Sequence, residues 1–393
     1  MAKRRFKLPG VQDLTKKQDE VLAQALDGQH LVVGGPGTGK SVMALLRAKR
    51  ANQSDRGHCF LLYNHTLRRF TDQLFDGDMK SAQWQSWFWR THKKTTGENP
   101  AVVETSGGGF APFDWRGIIQ KIEKTNECEE ISPLLLIIDE GQDMPPEFYE
   151  ALPKLSYENI FVVADQNQQI ARSENSSRLD IQNALGLDGH EVIELTENFR
   201  NNFAVARLAR HFYTGDPAVS APELPPAPKH QLTTPILFSY REDQFLRMLN
   251  KIIIMAHNAP SKLIGVICPT IAVVDRYASI LTDIDKENNH GVAIGVYKSG
   301  SRCDLQFDEG GIMIITAQSC KGLEFDLVFL ADIEKHASSG QDEDQLKRIF
   351  YVMVSRAIER VYLLKRQGIE NIVDDILPRD NSIMERKPME QKP

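Results

Sequence analysis

Residues Gly34–Ser41 read GGPGTGKS, a glycine separated by four residues from Gly-Lys-Ser. What decides the fold is the setting of this stretch. The apolar run His30–Val33 before it has strand character, and SVMALLRAKR from Ser41 onward has helical spacing. A glycine-rich turn between a strand and a helix can aim successive backbone N–H groups inward, and such a concavity holds phosphate. Gly35, Pro36, Gly37, Thr38 and Gly39 form the cradle, Lys40 reaches the terminal phosphates, and Ser41 Oγ offers a ligand to magnesium. The helix N-terminus adds the positive end of its dipole. The expected ligands are ATP and Mg2+.

Working outward, Leu134–Asp143 reads LLLIIDEGQD, an apolar strand ending in adjacent carboxylates. Acidic residues after a strand are often only a solvated loop, but behind a phosphate loop they acquire roles. Asp139 is placed to hold magnesium and Glu140 to orient and deprotonate an attacking water. Further short apolar runs are Cys59–Tyr63, Ile160–Ala164, Val192–Leu195, Ile264–Cys268, Ile312–Ile315, Leu327–Leu330 and Val361–Leu364. Continuous apolar runs suit strands covered on both faces. Helical patterns lie between them, at Thr15–Leu26, Ser41–Ala51, Phe203–Tyr213, Arg241–His257, Val273–Ile284 and Glu343–Ala357. The alternation predicts an α/β chain with parallel sheets.

A length of 393 residues is too great for one core and suits two large domains. The proline-rich stretch GDPAVSAPELPPAPKHQLTTP at Gly215–Pro235 disfavours helix and central strand, so it marks an interdomain linker. The expected organisation is an N-terminal domain over 1–215, with a small accessory segment near 90–133. A linker over 216–235, a C-terminal domain over 236–377 and a disordered tail over 378–393 follow. Hydrophobic residues at 41% and charged residues at 25% describe a globular chain, and a net charge of −6 leaves nucleic acid to local patches. The five cysteines show no CxxC pairing, which argues against zinc and disulfides. The N-terminus MAKRRFKLPG is followed by no apolar run of signal or membrane-spanning length, so the expectation is a cytoplasmic protein without a membrane partner.

The order of the motifs resembles the UvrD/Rep-like branch of superfamily 1 helicases, which have two RecA-like domains. Besides GGPGTGKS and IIDEGQD, the blocks that carry the likeness are LTKKQDEVL (Leu14–Leu22), LLYNHTLRRF (Leu61–Phe70), QSWFW (Gln85–Trp89) and VVADQNQQI (Val162–Ile170). LTENFRN (Leu195–Asn201), TAQSCKGLEFDLVFL (Thr316–Leu330) and RIFYVMVSRAIERVYLL (Arg348–Leu364) complete the series. The resemblance implies that Gln18 reads the adenine edge, although Thr15 and Gln18 also spell a capping box. It implies that Phe199 stacks on the base or, alternatively, packs a core. It further implies that Gln168 senses the γ-phosphate or, alternatively, is a buried glutamine, and that Arg200 and Arg356 grip that phosphate. By the same resemblance Glu324 is expected to accept the ribose hydroxyl, with Gly322 allowing close approach. Asn64, Thr66, Ser86 and Trp87 are candidate strand contacts, near the basic residues Arg68, Arg69, Arg90, His92, Lys93 and Lys94. Against this, at least two of Trp84, Trp87, Phe88 and Trp89 are expected in a core.

Two departures shape the functional expectation. After Gln168 the text QQIARSENSSRLDIQNALG has no aromatic, where the family usually stacks bases. The span from Arg200 to Thr316 has no room for the family's large insertion beside a second sheet. The expectation is therefore a near-minimal ATP-dependent translocase or DNA helicase on single-stranded DNA. The alternative is an ATP-gated, nucleic-acid-sensing subunit of a repair or anti-phage complex, with a partner such as a nuclease. A phosphate-loop kinase fits poorly with KGLEFD and SRA.

Overall fold

The computed structural model describes residues 14–62, 81–103, 112–125, 134–165, 175–215, 221–228, 233–297, 310–338 and 341–388. The main division into two compact units falls between Leu195 and Thr196.

The N-terminal unit is built on β1 (Gln29–Gly34), β2 (His58–Leu62), β3 (Ser81–Gln83), β4 (Leu135–Ile138), β5 (Asn159–Ala164) and β6 (Ile193–Leu195). Their order is β3-β2-β4-β5-β1-β6 and every pairing is parallel. Side chains alternate across the sheet, and both faces are covered. Val32, Phe60, Leu62, Ile137 and Phe161 join one core with α2 (Lys40–Gln53). Leu31, Val33, Leu61, Ile138 and Val162 join the other. Double-sided burial is why these strands read as unbroken apolar runs. The second core also takes α3 (Trp84–Thr96), α4 (Trp115–Lys124) and α5 (Pro146–Lys154), while α1 (Lys16–Ala23) packs on α2. A further helix, α6 (Arg178–Ala184), packs on α5.

The C-terminal unit has β7 (Ile236–Tyr240), β8 (Leu263–Cys268), β9 (Ile294–Val296), β10 (Gly311–Thr316), β11 (Phe325–Leu330), β12 (Ala357–Arg366) and β13 (Glu385–Pro388). These are ordered β13-β7-β12-β11-β8-β10-β9, again entirely parallel. Its helices are α7 (Phe203–His211), α8 (Phe245–Asn258), α9 (Ile271–Asn288), α10 (Glu343–Val354) and the short α11 (Ile372–Ile376).

Two boundaries differ from the sequence expectation. Helix α7 buries Ala204, Val205, Leu208 and Ala209 and packs on α10 and β12, so the chain joins the second core before it reaches the prolines. The apolar face of that helix outweighs the proline signal. Residues 378–388, expected as a disordered tail, cover the edge of β7 instead. Met384 is buried, Glu385 N–H donates to Pro235 O (2.9 Å), and Arg207 reaches Ser382 Oγ (2.8 Å). A charged, proline-ended strand suits an exposed sheet edge, and that role is not visible in its polar composition.

His336 ends the short 3-10 turn after β11, buried beside the Phe350 ring at 5.9 Å. Burial pushes its imidazole from the ordinary 6.5 down to about 4. The native chain thus holds the neutral ring while the unfolded chain takes up a proton at higher pH. Stability is complete above about pH 6.5 and is lost as pH falls towards 4, an effect on the order of 3 kcal/mol. In chemical denaturation, His336→Phe is expected to lose less stability between pH 7 and pH 4.5 than the unaltered chain; equal losses would contradict the assignment.

Candidate nucleotide site

The glycine loop runs from the end of β1 into α2. Gly37 and Gly39 have φ of +78° and +88°, values that side chains rarely tolerate. A Cβ on Gly39 would lie 2.6 Å from Gln18 Nε2, so the glutamine amide rests against the last glycine of the loop. The capping box is present as well, with Thr15 N–H donating to Gln18 Oε1 (3.1 Å) and Gln18 N–H to Thr15 Oγ1 (3.3 Å). The capping reading of Gln18 holds: its carbonyl closes a helix start, and its nitrogen end meets the loop.

Lys40, the first residue of α2, is folded back into the loop. Its Nζ donates to Gly35 O (2.6 Å) and pairs with Asp165 at 3.4 Å, both side chains being buried. Asp139 follows β4 directly and is hydrogen-bonded to Ser41. Its carboxyl is pushed up to about 7, first by burial and then by the charge of Glu140, against the downward pull of Ser41, the Glu140 N–H and Lys40. A bound cation at this position would favour the ionised form. Glu140 itself takes a left-handed backbone (φ 54°, ψ 42°), which costs a non-glycine residue on the order of 1–3 kcal/mol and typically persists where function requires it.

Sequence reasoning missed two residues that tie these groups together. Gln142 Nε2 donates to Glu140 Oε2 (2.6 Å), while its Oε1 accepts from Asp165 N–H (2.8 Å), and Asp165 in turn pairs with Lys40. Glu140 and Lys40 are thus joined through one buried glutamine and one buried aspartate. The signal for Asp165 was its place directly after β5, the same strand-end position that Asp139 holds after β4. Gln168 lies outside the described residues.

In the C-terminal unit, Arg200 and Glu324 form an ion pair at 2.5 Å. Gly322 just before it has φ of +79°. Phe199 is exposed, not a core phenylalanine. The loop tip Pro36–Thr38 groups with this unit, and Gly37 O accepts from Phe199 N–H (2.8 Å). A Cβ on Gly37 would meet Asn198 Oδ1 at 2.4 Å and Arg200 Cβ at 2.8 Å, which requires glycine there whatever its φ. Thr38 and Pro36 are buried. Arg356 lies between α10 and β12 and is 1% exposed, with Nε donating to Val352 O (3.0 Å) and the fork reaching Ser355 Oγ (3.3 Å) and Leu323 O (3.5 Å).

The nucleic-acid candidates divide. Asn64, Thr66, Arg68 and Arg69 lie outside the described residues. Ser86, Arg90, Lys93 and Lys94 are exposed on α3. Trp87, expected to offer a face to a base, is buried instead, with its ring edge-on to Phe148 at 6.3 Å and Tyr157 at 5.2 Å. His92 is buried too, and burial lowers its imidazole. The α3 face that carries Trp84, Trp87 and Phe88 closes the core of the unit, and the helix spacing that aligned them is core spacing.

Two family models match the sequence. An AAA domain model covers residues 18–174, and the model of the UvrD-like helicase C-terminal domain covers residues 311–364. The two matches together make the chain similar to the UvrD-like helicases. The two parallel sheets of this UvrD-like chain are accordingly its two RecA-like domains. The first match takes in Gln18, the glycine loop, Asp139 and Glu140, and the second takes in Gly322, Glu324 and Arg356, with Phe199 and Arg200 between them. Among solved structures, the C-terminal domain of a possible DNA helicase from Lactobacillus plantarum WCFS1 is 14% identical. The alignment spans 48% of this chain and 97% of that one at a TM-score of 0.32. No curated protein matches the sequence. Among the described residues no helix is long and apolar enough to cross a membrane.

Proposed function

We propose that this chain is a UvrD-like helicase that hydrolyses ATP and uses the cycle to move along single-stranded DNA. The observation that carries the reading is the linked set in the N-terminal unit: Lys40 curled into the glycine loop, Ser41 bonded to Asp139, and Glu140 oriented by Gln142. A hydroxyl and a carboxylate side by side are hard oxygen donors and fit Mg2+. Ser41 and Asp139 would hold the ion, whose chemistry when bound is to neutralise charge on the β- and γ-phosphate oxygens.

The remaining roles belong to the chain's own residues. The backbone N–H groups of the loop and Lys40 bind the phosphates. Gln18 meets the adenine edge, Phe199 stacks on the base, and Glu324 accepts the ribose hydroxyl where Gly322 leaves room. Gln168 senses the γ-phosphate. Glu140 takes a proton from water as the water oxygen bonds to the γ-phosphorus and the bond to the β–γ bridging oxygen breaks. Arg200 and Arg356 meet the charge that spreads over the γ-phosphate oxygens, which suits a forked guanidinium. A ligand biases a conformational equilibrium only by contacts that differ between states, and the γ-phosphate is the group that hydrolysis removes.

Burial of Trp87 favours a second reading, in which the chain senses nucleic acid and signals a partner protein without unwinding. The deciding experiment is ATP turnover at low salt with and without single-stranded DNA or RNA, together with strand displacement on tailed duplexes. Stimulation by single-stranded DNA with displacement is expected. Stimulation without displacement would select the second reading, and indifference to both strands would refute both.

A further inference from the structure

The turn that carries Phe199 and Arg200 is laced to the segment that carries Arg356. Asn201 is 4% exposed, and its Nδ2 donates to Ser355 O (3.1 Å) and Ala357 O (2.5 Å), the two carbonyls adjacent to Arg356. Its Oδ1 accepts from Asn198 Nδ2 (3.0 Å), and Asn198 Oδ1 accepts the N–H groups of Arg200 (3.1 Å) and Asn201 (3.2 Å). The next residue continues the seam, with Asn202 N–H donating to Ile358 O (2.9 Å) and its Nδ2 to Glu359 O (2.5 Å).

These partners fix the sense of the Asn201 carboxamide. Its nitrogen has two hydrogens and faces two carbonyls, whereas the flipped amide would set an oxygen against both. Few other side chains could do the same in this space, because the task needs two donors on one atom and an acceptor beside it. The connection is also specific in place: it holds the backbone on both sides of Arg356 and, through Asn198, the N–H of Arg200.

We infer that Asn201 is a positioning residue that fastens the backbones of Arg200 and Arg356 to each other, so that the two guanidiniums act on the γ-phosphate as one unit. The inference rests on the phosphate roles proposed above for the two arginines. A carboxamide that sets their spacing affects the rate of phosphoryl transfer more than the binding of nucleotide, since misplacement of reacting groups by about 1 Å can cost on the order of 10²-fold in rate.

The test is a double-mutant cycle in steady-state ATP turnover, with affinity for a fluorescent ATP analogue measured in parallel. Asn201→Ala is expected to lower kcat by about 10²-fold while KM and analogue affinity change by no more than a few-fold. In an Arg356→Ala background the same substitution is expected to add much less loss, because one of the two guanidiniums it holds together is gone. Asn201→Asp, nearly isosteric but without the donor, is expected to match Asn201→Ala. If Asn201→Ala fails to fold, Asn201→Ser carries the cycle, and a kcat loss much smaller in the Arg356→Ala background supports the inference. Wild-type kcat in the Asn201 variants beside a crippled Arg356→Ala would overturn the inference alone. So would losses that multiply fully in the double variant, which mark a merely structural role. Normal turnover by Arg356→Ala would instead remove the arginine's phosphate role, the reading on which the inference stands.

Discussion

Arg356→Ala is expected to turn ATP over at least about 10³-fold more slowly than the unaltered chain, equivalent to about 4 kcal/mol of transition-state stabilisation. The guanidinium is neither a solvated surface charge nor a free finger. It is buried and given three acceptors, Val352 O, Ser355 Oγ and Leu323 O, of which the last belongs to the residue before Glu324. A desolvated cation of this kind, close to the ribose candidate, acts more strongly on an incoming phosphate than an exposed one would. Because the same bonds also support the fold, turnover must be read beside thermal stability and nucleotide affinity. Arg356→Lys supplies the control: it keeps the charge but loses the planar fork, and turnover between the two extremes is expected. Near-normal turnover in a folded Arg356→Ala chain would remove Arg356 from the proposed phosphoryl-transfer chemistry.

The fold was legible because its strands are covered on both faces. Runs such as Leu134–Ile138 and Ile264–Cys268 have no polar alternation to disguise them, and they lie within β4 and β8 with little change. The strands that escaped reading lie on or next to sheet edges: β3, β7, β9 and β13 are short or only half-buried, and β13 is the charged stretch ERKP. Edge strands owe their existence to a neighbour, and local sequence says little about neighbours. The linker was misplaced for a related reason, since the attachment of α7 to α10 and β12 is a tertiary choice made upstream of the prolines.

The site was legible where chemistry forces residue identity. Glycine at 37 and 39, lysine at 40 and paired carboxylates at 139 and 140 are the residues that the proposed phosphate, metal and water chemistry demands. Legibility failed where a residue's role is to hold another. Gln142, Asp165 and Asn201 are ordinary polar residues in the sequence, and only their partners reveal what they do. Trp87 failed in the opposite direction, because an aromatic among basic residues reads equally well as a stacking platform and as core. Packing against Phe148 and Tyr157 decides for core.

Glu140→Gln is expected to reduce turnover by about 10³-fold, within the range that a positioned general base contributes, while leaving ATP bound. The substitution keeps the length and shape of the side chain and its ability to accept from Gln142 Nε2, so the left-handed turn at position 140 loses no support. What disappears is the capacity to take a proton from the attacking water. In the proposed site, phosphate binding has separate owners, the glycine loop and Lys40, which contacts Gly35 O and Asp165. Removing the charge of Glu140 also relieves the second-largest influence raising the Asp139 carboxyl, so its fitness as a ligand to Mg2+ does not decline. Lys40→Ala offers the contrast, since it should weaken both affinity and turnover. Equilibrium binding of a fluorescent ATP analogue and single-turnover hydrolysis, measured on the same Glu140→Gln preparation, separate the two effects. Tight binding with slow hydrolysis is the expected pair of results, and loss of binding equal to the loss of turnover would show that Glu140 builds the cradle instead of serving as the base.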